Sequence, residues 1–292
     1  MLPQDGWDGT PVGTLLPEVW ELAAMCGMPL TRPTDDEVKQ LFDLWGNQRE
    51  FEKNMPQIAA ALKLDGREVP DEQVLNLLEA TETLNRIAFR RVKGTDTPTN
   101  VGPVIVLFNG ATVPWMERRL AELDRQAESG LQVVYLIALV DSNRVCQLET
   151  EVINPRVMAY HQKHGHYPTE EDMMESVLQN SLSGLPYNII SSTGGLEGNV
   201  AAFATQYFEM EAVDIYVPTN ANATYVPLAV RRVLRQSWPR FDVRRDQFWF
   251  SQDGFPLART PEQAADPANY QRPMTVFSGL VRLVSELHKL NR

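Results

Sequence analysis

Apolar residues recur at three- and four-residue spacing over Leu16 to Met25, Asp35 to Leu44, Glu50 to Leu64 and Asp71 to Lys93, the period of helices that bury one face. Thr34-Asp35-Asp36-Glu37 has the form of a capping box, Pro70-Asp71-Glu72 opens the last segment, and Gly46, Gly66 and Gly94 stand where helices would stop. Residues 1–97 therefore read as an all-helical N-terminal region. The stretch Gly94 to Pro103 is rich in turn formers and has no period, which makes it the expected boundary.

Beyond it the pattern changes. Val104 to Phe108 is a continuous apolar run suited to a strand covered on both faces. It is followed by a helical pattern from Pro114 to Ser129 and a second run, Val133 to Val140. The alternation continues with a helix near Glu170 to Leu182, a strand at Tyr187 to Ser191, a helix at Leu196 to Met210 and a strand at Val213 to Val217. A helix over Tyr225 to Gln236, a strand at Gln247 to Ser251 and a closing helix from Met274 to Leu290 complete it. Strands alternating with helices predict an α/β domain over residues 98–292, with a mostly parallel sheet and helices on both faces.

In such a sheet ligands bind outside the carboxyl ends of the strands, so the turns there carry the candidate chemistry. Phe108-Asn109-Gly110-Ala111-Thr112 offers backbone N–H groups at a helix start, although it has neither GxGxxG nor a Walker lysine. Ser191-Ser192-Thr193-Gly194-Gly195 and Pro218-Thr219-Asn220-Ala221-Asn222-Ala223-Thr224 are two further turns of this kind. Arg144, after the second strand, could hold a carboxylate or phosphate through a bidentate contact. Thr169 is placed as an N-cap with Asp172 at N3, which explains those acids by capping alone. In the functional reading Glu170 faces the crevice and accepts a ligand hydroxyl or acts as general base.

Together, in this order, these features resemble the DUF218 (YdcF/SanA-like) group of Rossmann-like proteins over about residues 103–290. The matching elements are the strand ending at Asn109-Gly110, the pair Arg118-Arg119, the strand before Arg144, Pro168 to Met174, the Thr193 to Gly195 turn and the strand ending at Asn220. Glu197 and Asn199, with Gly198 between them, loosely match the family's Glu-Asn pair. The family's His before an Arg after the later strand has no counterpart, since Thr224 and Pro227 stand in that region. The resemblance implies a Rossmann-like fold and a ligand of nucleotide or S-adenosylmethionine type. Asn109, Gly110, Arg118, Arg144, Thr169, Thr193, Gly194, Gly195 and Asn220 are its candidate binding residues, and Glu170 its candidate catalytic one.

Composition narrows the classes. With 43% hydrophobic and 22% charged residues the chain is of ordinary globular make-up, and a net charge of -11 disfavours general binding to nucleic acid or anionic membrane. The first 100 residues hold 10 basic and 17 acidic side chains, the rest 17 and 21, so the acidity is concentrated in the helical part. Two cysteines, Cys26 and Cys146, make no disulfide framework, and an acidic, turn-rich start without an apolar h-region makes the cytoplasm the default expectation. His161, His164 and His166 invite a metal reading, but their spacing does not suit one helix face, and a solvated polar turn is expected instead. No nucleophile elbow or catalytic-thiol motif is present. The arginines from Arg231 to Arg245 form the strongest basic patch. Three functions follow as expectations: a protein binding a small-molecule ligand of nucleotide, S-adenosylmethionine or sugar-phosphate type through an anionic phosphate or carboxylate group; a transferase or hydrolase acting on a nucleotide or sugar phosphate with Glu170 as general base; or a non-enzymatic module binding a protein partner through the N-terminal helices and the arginine patch.

Overall fold

The computed structural model describes residues 71–76, 103–179, 185–207, 214–220, 223, 225–238, 248–252, 258–265, 279, 282 and 286. The expected helices before residue 71, the boundary at 97/98 and most of the closing helix lie outside these. By backbone contacts the chain divides into one compact unit of Lys93–Asn220 and Ala229–Asp253, and another of Met1–Val92, Ala221–Leu228 and Gly254–Arg292.

The first unit is an α/β sandwich around a five-stranded sheet. Its elements are β1 (Val104–Asn109), α1 (Val113–Glu128), β2 (Val133–Asp141), α2 (Glu149–Val152), α3 (Pro155–His164), α4 (Glu170–Leu178), β3 (Tyr187–Ser192), α5 (Gly195–Gln206), β4 (Asp214–Thr219), α6 (Tyr225–Ser237, from Ala229 in this unit) and β5 (Phe248–Gln252). The strand order is β3-β2-β1-β4-β5, and every pairing is parallel. The expected strands and the helices between them appear within a residue or two of their predicted starts. The short α2 and the ten-residue α3 were not expected. α3 begins at Pro155 behind an Asn154 cap, whose side chain accepts from the Arg156 N–H at 2.9 Å, and it ends at the left-handed Gly165. Its only buried residue is Val157, so it shows almost no apolar stripe to a reader looking for helical period.

Alternation along β1 and β2 sorts the core. Val104, Val106, Phe108, Leu136, Ala138 and Val140 pack with Val113, Met116, Leu120 and Leu123 of α1 and with Met173, Met174, Val177 and Leu178 of α4. The spacing of the α1 set, three and four residues, is that of one helix face. Ile105, Leu107, Ile137 and Leu139 point the other way and are equally buried. There α5 lies against β2 and β3 and buries Val200, Phe203 and Ala204, and the Trp238 indole donates to the Ala204 carbonyl at 2.7 Å. Burial on both faces explains why β1 reads as an unbroken apolar run.

In the other unit residues 72–76 are helical with Val74 and Leu75 buried, in keeping with the expected helix start at Asp71. α7 (Pro261–Ala265) is a single turn, and Arg282 donates to the Tyr225 hydroxyl at 2.8 Å. No helix of the described residues is long and apolar enough to cross a membrane.

Candidate functional site

From β1 the chain moves outward through β2 to β3 and then returns to the other side of β1 for β4 and β5. The ends of β1 and β4 therefore flank the point where the winding reverses, the usual ligand crevice of an open parallel sheet. Asn109 closes β1 and Thr219 closes β4, with Gly110 and Asn220 next in the chain. Arg119 of α1 joins the two ends: its Nε donates to Asn220 Oδ1 at 2.7 Å, and its Nη1 donates to the carbonyls of Asn109 at 2.7 Å and Gly110 at 3.3 Å. Arg119, rather than the expected Arg118, is the buried member of the pair, and Arg118 is half-buried. A signal for it exists in the sequence. Arg119 stands three residues after Met116 and four before Leu123, on the stripe that faces the sheet.

On the β2 side of the Gly110 turn Gly110, Arg144 and Glu170 come together, but the carboxylates that Arg144 holds are the chain's own Glu151 and Glu170 and not those of an outside ligand. Glu170 is 4% exposed; its Oε2 accepts from the Asp141 N–H at 2.6 Å and its Oε1 from Arg144 Nη1 at 3.0 Å. Its carboxylate rests on the Cα of Gly110 so closely that a β-carbon there would lie 2.5 Å from the carboxyl carbon. Burial pushes the Glu170 carboxyl above its ordinary range, and the Asp141 amide and the Arg144 guanidinium only partly offset it. The helix start is pinned to the segment that follows β2 by an isolated backbone bridge: the Cys146 N–H donates to the Pro168 carbonyl at 2.9 Å and the Glu170 N–H to the Arg144 carbonyl at 2.9 Å. Thr169 makes the predicted capping box, its hydroxyl accepting from the Asp172 N–H at 3.2 Å and the Asp172 carboxylate accepting from the Thr169 N–H at 2.8 Å.

Arg144 has a second buried carboxylate on its other side. Its Nη2 donates to Glu151 Oε1 at 2.5 Å, and its Nη1 also donates to the Ala111 carbonyl at 2.8 Å. Glu151 accepts in addition from the Val113 N–H at 3.3 Å, so the N-terminus of α1, expected to face an outside anion, is met by the chain's own carboxylate. Glu151 escapes sequence reasoning because its surroundings invert the usual rule: Leu148 and Ile153 are about half exposed while Glu151 is fully buried. Cys146 lies under this cluster with its Sγ 3.8 Å from Arg144 Nη1, and burial with the two carboxylates raises its thiol to about 12.

On the α5 side the Ser192-Thr193-Gly194-Gly195 turn leads into a helix whose N-cap, Gly194, has no side-chain acceptor. Gly195 has φ +59, and Gly194 sits against the backbone of Gly198, where a β-carbon would lie 2.9 Å from the Gly198 Cα. Thr193 is exposed. Asn199, in the second turn of α5, donates from Nδ2 to the Val140 carbonyl at 2.8 Å, while its Oδ1 is buried without a partner. Asn109 is 3% exposed, and neither Oδ1 nor Nδ2 of its side chain has a partner.

The remaining sequence candidates lie elsewhere. His161 and His164 are on α3 and His166 follows its Gly165 stop; residues 162–166 are exposed, in keeping with a solvated polar segment, and the rings of His161 and His164 stack on Tyr167 and Tyr160 at 4.3 Å. Among the described residues no group of three metal-ligating side chains is assembled. Of the arginine patch, Arg232 pairs with Glu197 at 2.5 Å, while Arg240, Arg244 and Arg245 lie outside the described residues. Comparison of the chain with protein-family models, with curated proteins and with solved structures gives no match.

Proposed function

We propose that the chain binds a small molecule of nucleotide, S-adenosylmethionine or sugar-phosphate type, held by its phosphate or carboxylate group, at the C-terminal edge of its parallel sheet. The observation that carries this reading is the strand order, which brings the Asn109-Gly110 turn and Asn220 side by side where the winding reverses, with the unpaired buried amide of Asn109 at the end of β1. The uncapped start of α5, at Thr193 to Gly195, is the natural seat for the anionic group. Arg144 and Glu170 act from behind, holding the Gly110 turn in place. The order of motifs that resembles the DUF218 group supports the same edge.

A thermal-shift titration with nucleotides, S-adenosylmethionine and sugar phosphates tests it. A compound at a hundred times its dissociation constant adds ~2.7 kcal/mol to the stability of the unit it binds. That shift is expected to weaken in Asn220→Ala and Thr193→Ala, and no shift with any compound overturns the proposal. The burial that raises the Glu170 carboxyl favours a second reading, in which Glu170 takes a proton during transfer or hydrolysis. In that case Glu170→Gln keeps the ligand shift but abolishes turnover of the same compound.

A further inference from the structure

We infer that Asp141 and Ser192, paired across the ends of β2 and β3, form a subsite for the sugar hydroxyls of the ligand; the inference rests on the small-molecule reading above. The register pairs Asp141 with Ser192, and the Ser142 N–H donates to the Ser192 carbonyl at 3.1 Å, so the two strands stay together to their last residues. Neighbouring strands lie about 4.8 Å apart, and paired residues project from the same face of the sheet. Alternation fixes that face. Val140 packs with α1 and α4, and Tyr187 and Ile189 pack against the same cluster, which leaves Asp141 and Ser192 on the opposite face, where α5 lies over β2 and β3.

Each side chain has bonding capacity that the chain does not use. Asp141 Oδ1 accepts from the Asn143 N–H at 2.9 Å, while Oδ2 has no partner among the described residues. Ser192 Oγ accepts from the Gly194 N–H at 3.3 Å, while its own O–H meets no acceptor among them. Both residues are partly exposed, so a ligand reaches them with the chain as it stands. Glycines keep the hydroxyl clear on the α5 side: a β-carbon at Gly194 would lie 3.7 Å from Ser192 Oγ, and one at Gly198 3.4 Å. An anionic acceptor beside a hydroxyl that can still donate selects among the groups a ligand could offer. A phosphate or carboxylate is repelled by Asp141. An ammonium suits Asp141 but makes no use of the Ser192 proton. Neighbouring hydroxyls of a sugar donate to Asp141 Oδ2 and accept from Ser192 together. The anionic group of the same ligand then belongs just beyond Ser192, at the Thr193 to Gly195 start of α5.

The test is calorimetry on the full chain with adenosine and uridine monophosphates, S-adenosylmethionine and hexose phosphates, each compared with its congener lacking the sugar hydroxyls. A nucleobase edge also donates and accepts, and the hexose phosphates, which have no base, separate the two sources. In the wild type, loss of the hydroxyls is expected to weaken binding at least about tenfold. Asp141→Asn and Ser192→Ala, both conservative changes at partly exposed positions, are expected to weaken the parent compound by a similar factor and to leave the congener unchanged. Thr193→Ala, at the seat of the anionic group, weakens parent and congener alike. Equal binding of parent and congener by the wild type overturns the subsite and leaves the small-molecule reading standing. Equal losses for parent and congener in Asp141→Asn and Ser192→Ala overturn it too, since the residues would then serve the turn or another part of the ligand. Absence of binding by every parent compound overturns both readings.

Discussion

A methyl group at residue 110 has no room, because the Glu170 carboxylate occupies its place. Gly110→Ala must therefore displace either the turn after β1 or the start of α4, and the expected loss is about 1–3 kcal/mol, read by urea denaturation. An unchanged midpoint would mean that Glu170 moves aside at little cost. Glu170 also makes stability depend on pH. Its carboxyl is raised in the folded chain by burial, so folding favours the protonated form. That contribution is fully present below the unfolded value of ~4.3 and is lost as pH rises through the folded value. The wild type is accordingly expected to gain stability relative to Glu170→Gln as pH is lowered from neutrality through the raised folded value to the unfolded one, as measured by denaturation at each pH. A difference that is flat over this range would refute the raised carboxyl.

At the level of elements, one guanidinium ties together parts that local pattern keeps separate. Arg144 links the β1 turn through Ala111, α4 through Glu170, and α2 through Glu151, which itself meets the α1 start. Removing one partner of a buried ion pair typically costs 3–5 kcal/mol, and the partial exposure of Arg144, at 24%, places Arg144→Ala near the lower end, about 3 kcal/mol. Arg144→Lys is expected to recover little of it, because a single ammonium cannot span both carboxylates as the two Nη groups do. Equilibrium unfolding of both variants decides this, and full recovery by lysine would show that charge alone matters. The α4 start has its own local signal. Thr169→Ala removes the hydroxyl that accepts from the Asp172 N–H, with an expected loss of about 1 kcal/mol.

Over the sheet unit as a whole, Cys146 reports on cooperativity. Its thiol is fully buried and raised to about 12, so almost no thiolate exists at neutral pH in the folded chain. In a Cys26→Ser variant, labelling by a maleimide at pH 7 is expected only at the rate of unfolding, rising sharply across the denaturation midpoint. Fast labelling of the native chain would show that the segment after β2 opens by itself.

The residues that form strands and their intervening helices were legible along the chain because burial on both faces of a parallel sheet leaves continuous apolar runs. The capping box at Thr169 was legible because it is written in four consecutive residues. Gly110, Arg144 and Glu170 were legible as candidates, since each stands at a strand end or a helix start. α3 was not legible, with one buried residue and no stripe. Nor was Glu151, a buried acid flanked by half-exposed apolar residues. Local period and capping thus determined the elements and the edge at which they end. The order β3-β2-β1-β4-β5, the carboxylates on both sides of Arg144, the choice of Arg119 over Arg118 and the unpaired amides of Asn109 and Asn199 were decided only by tertiary structure. Each depends on which distant segments share a strand edge or a buried space, and spacing along a chain carries no information about that.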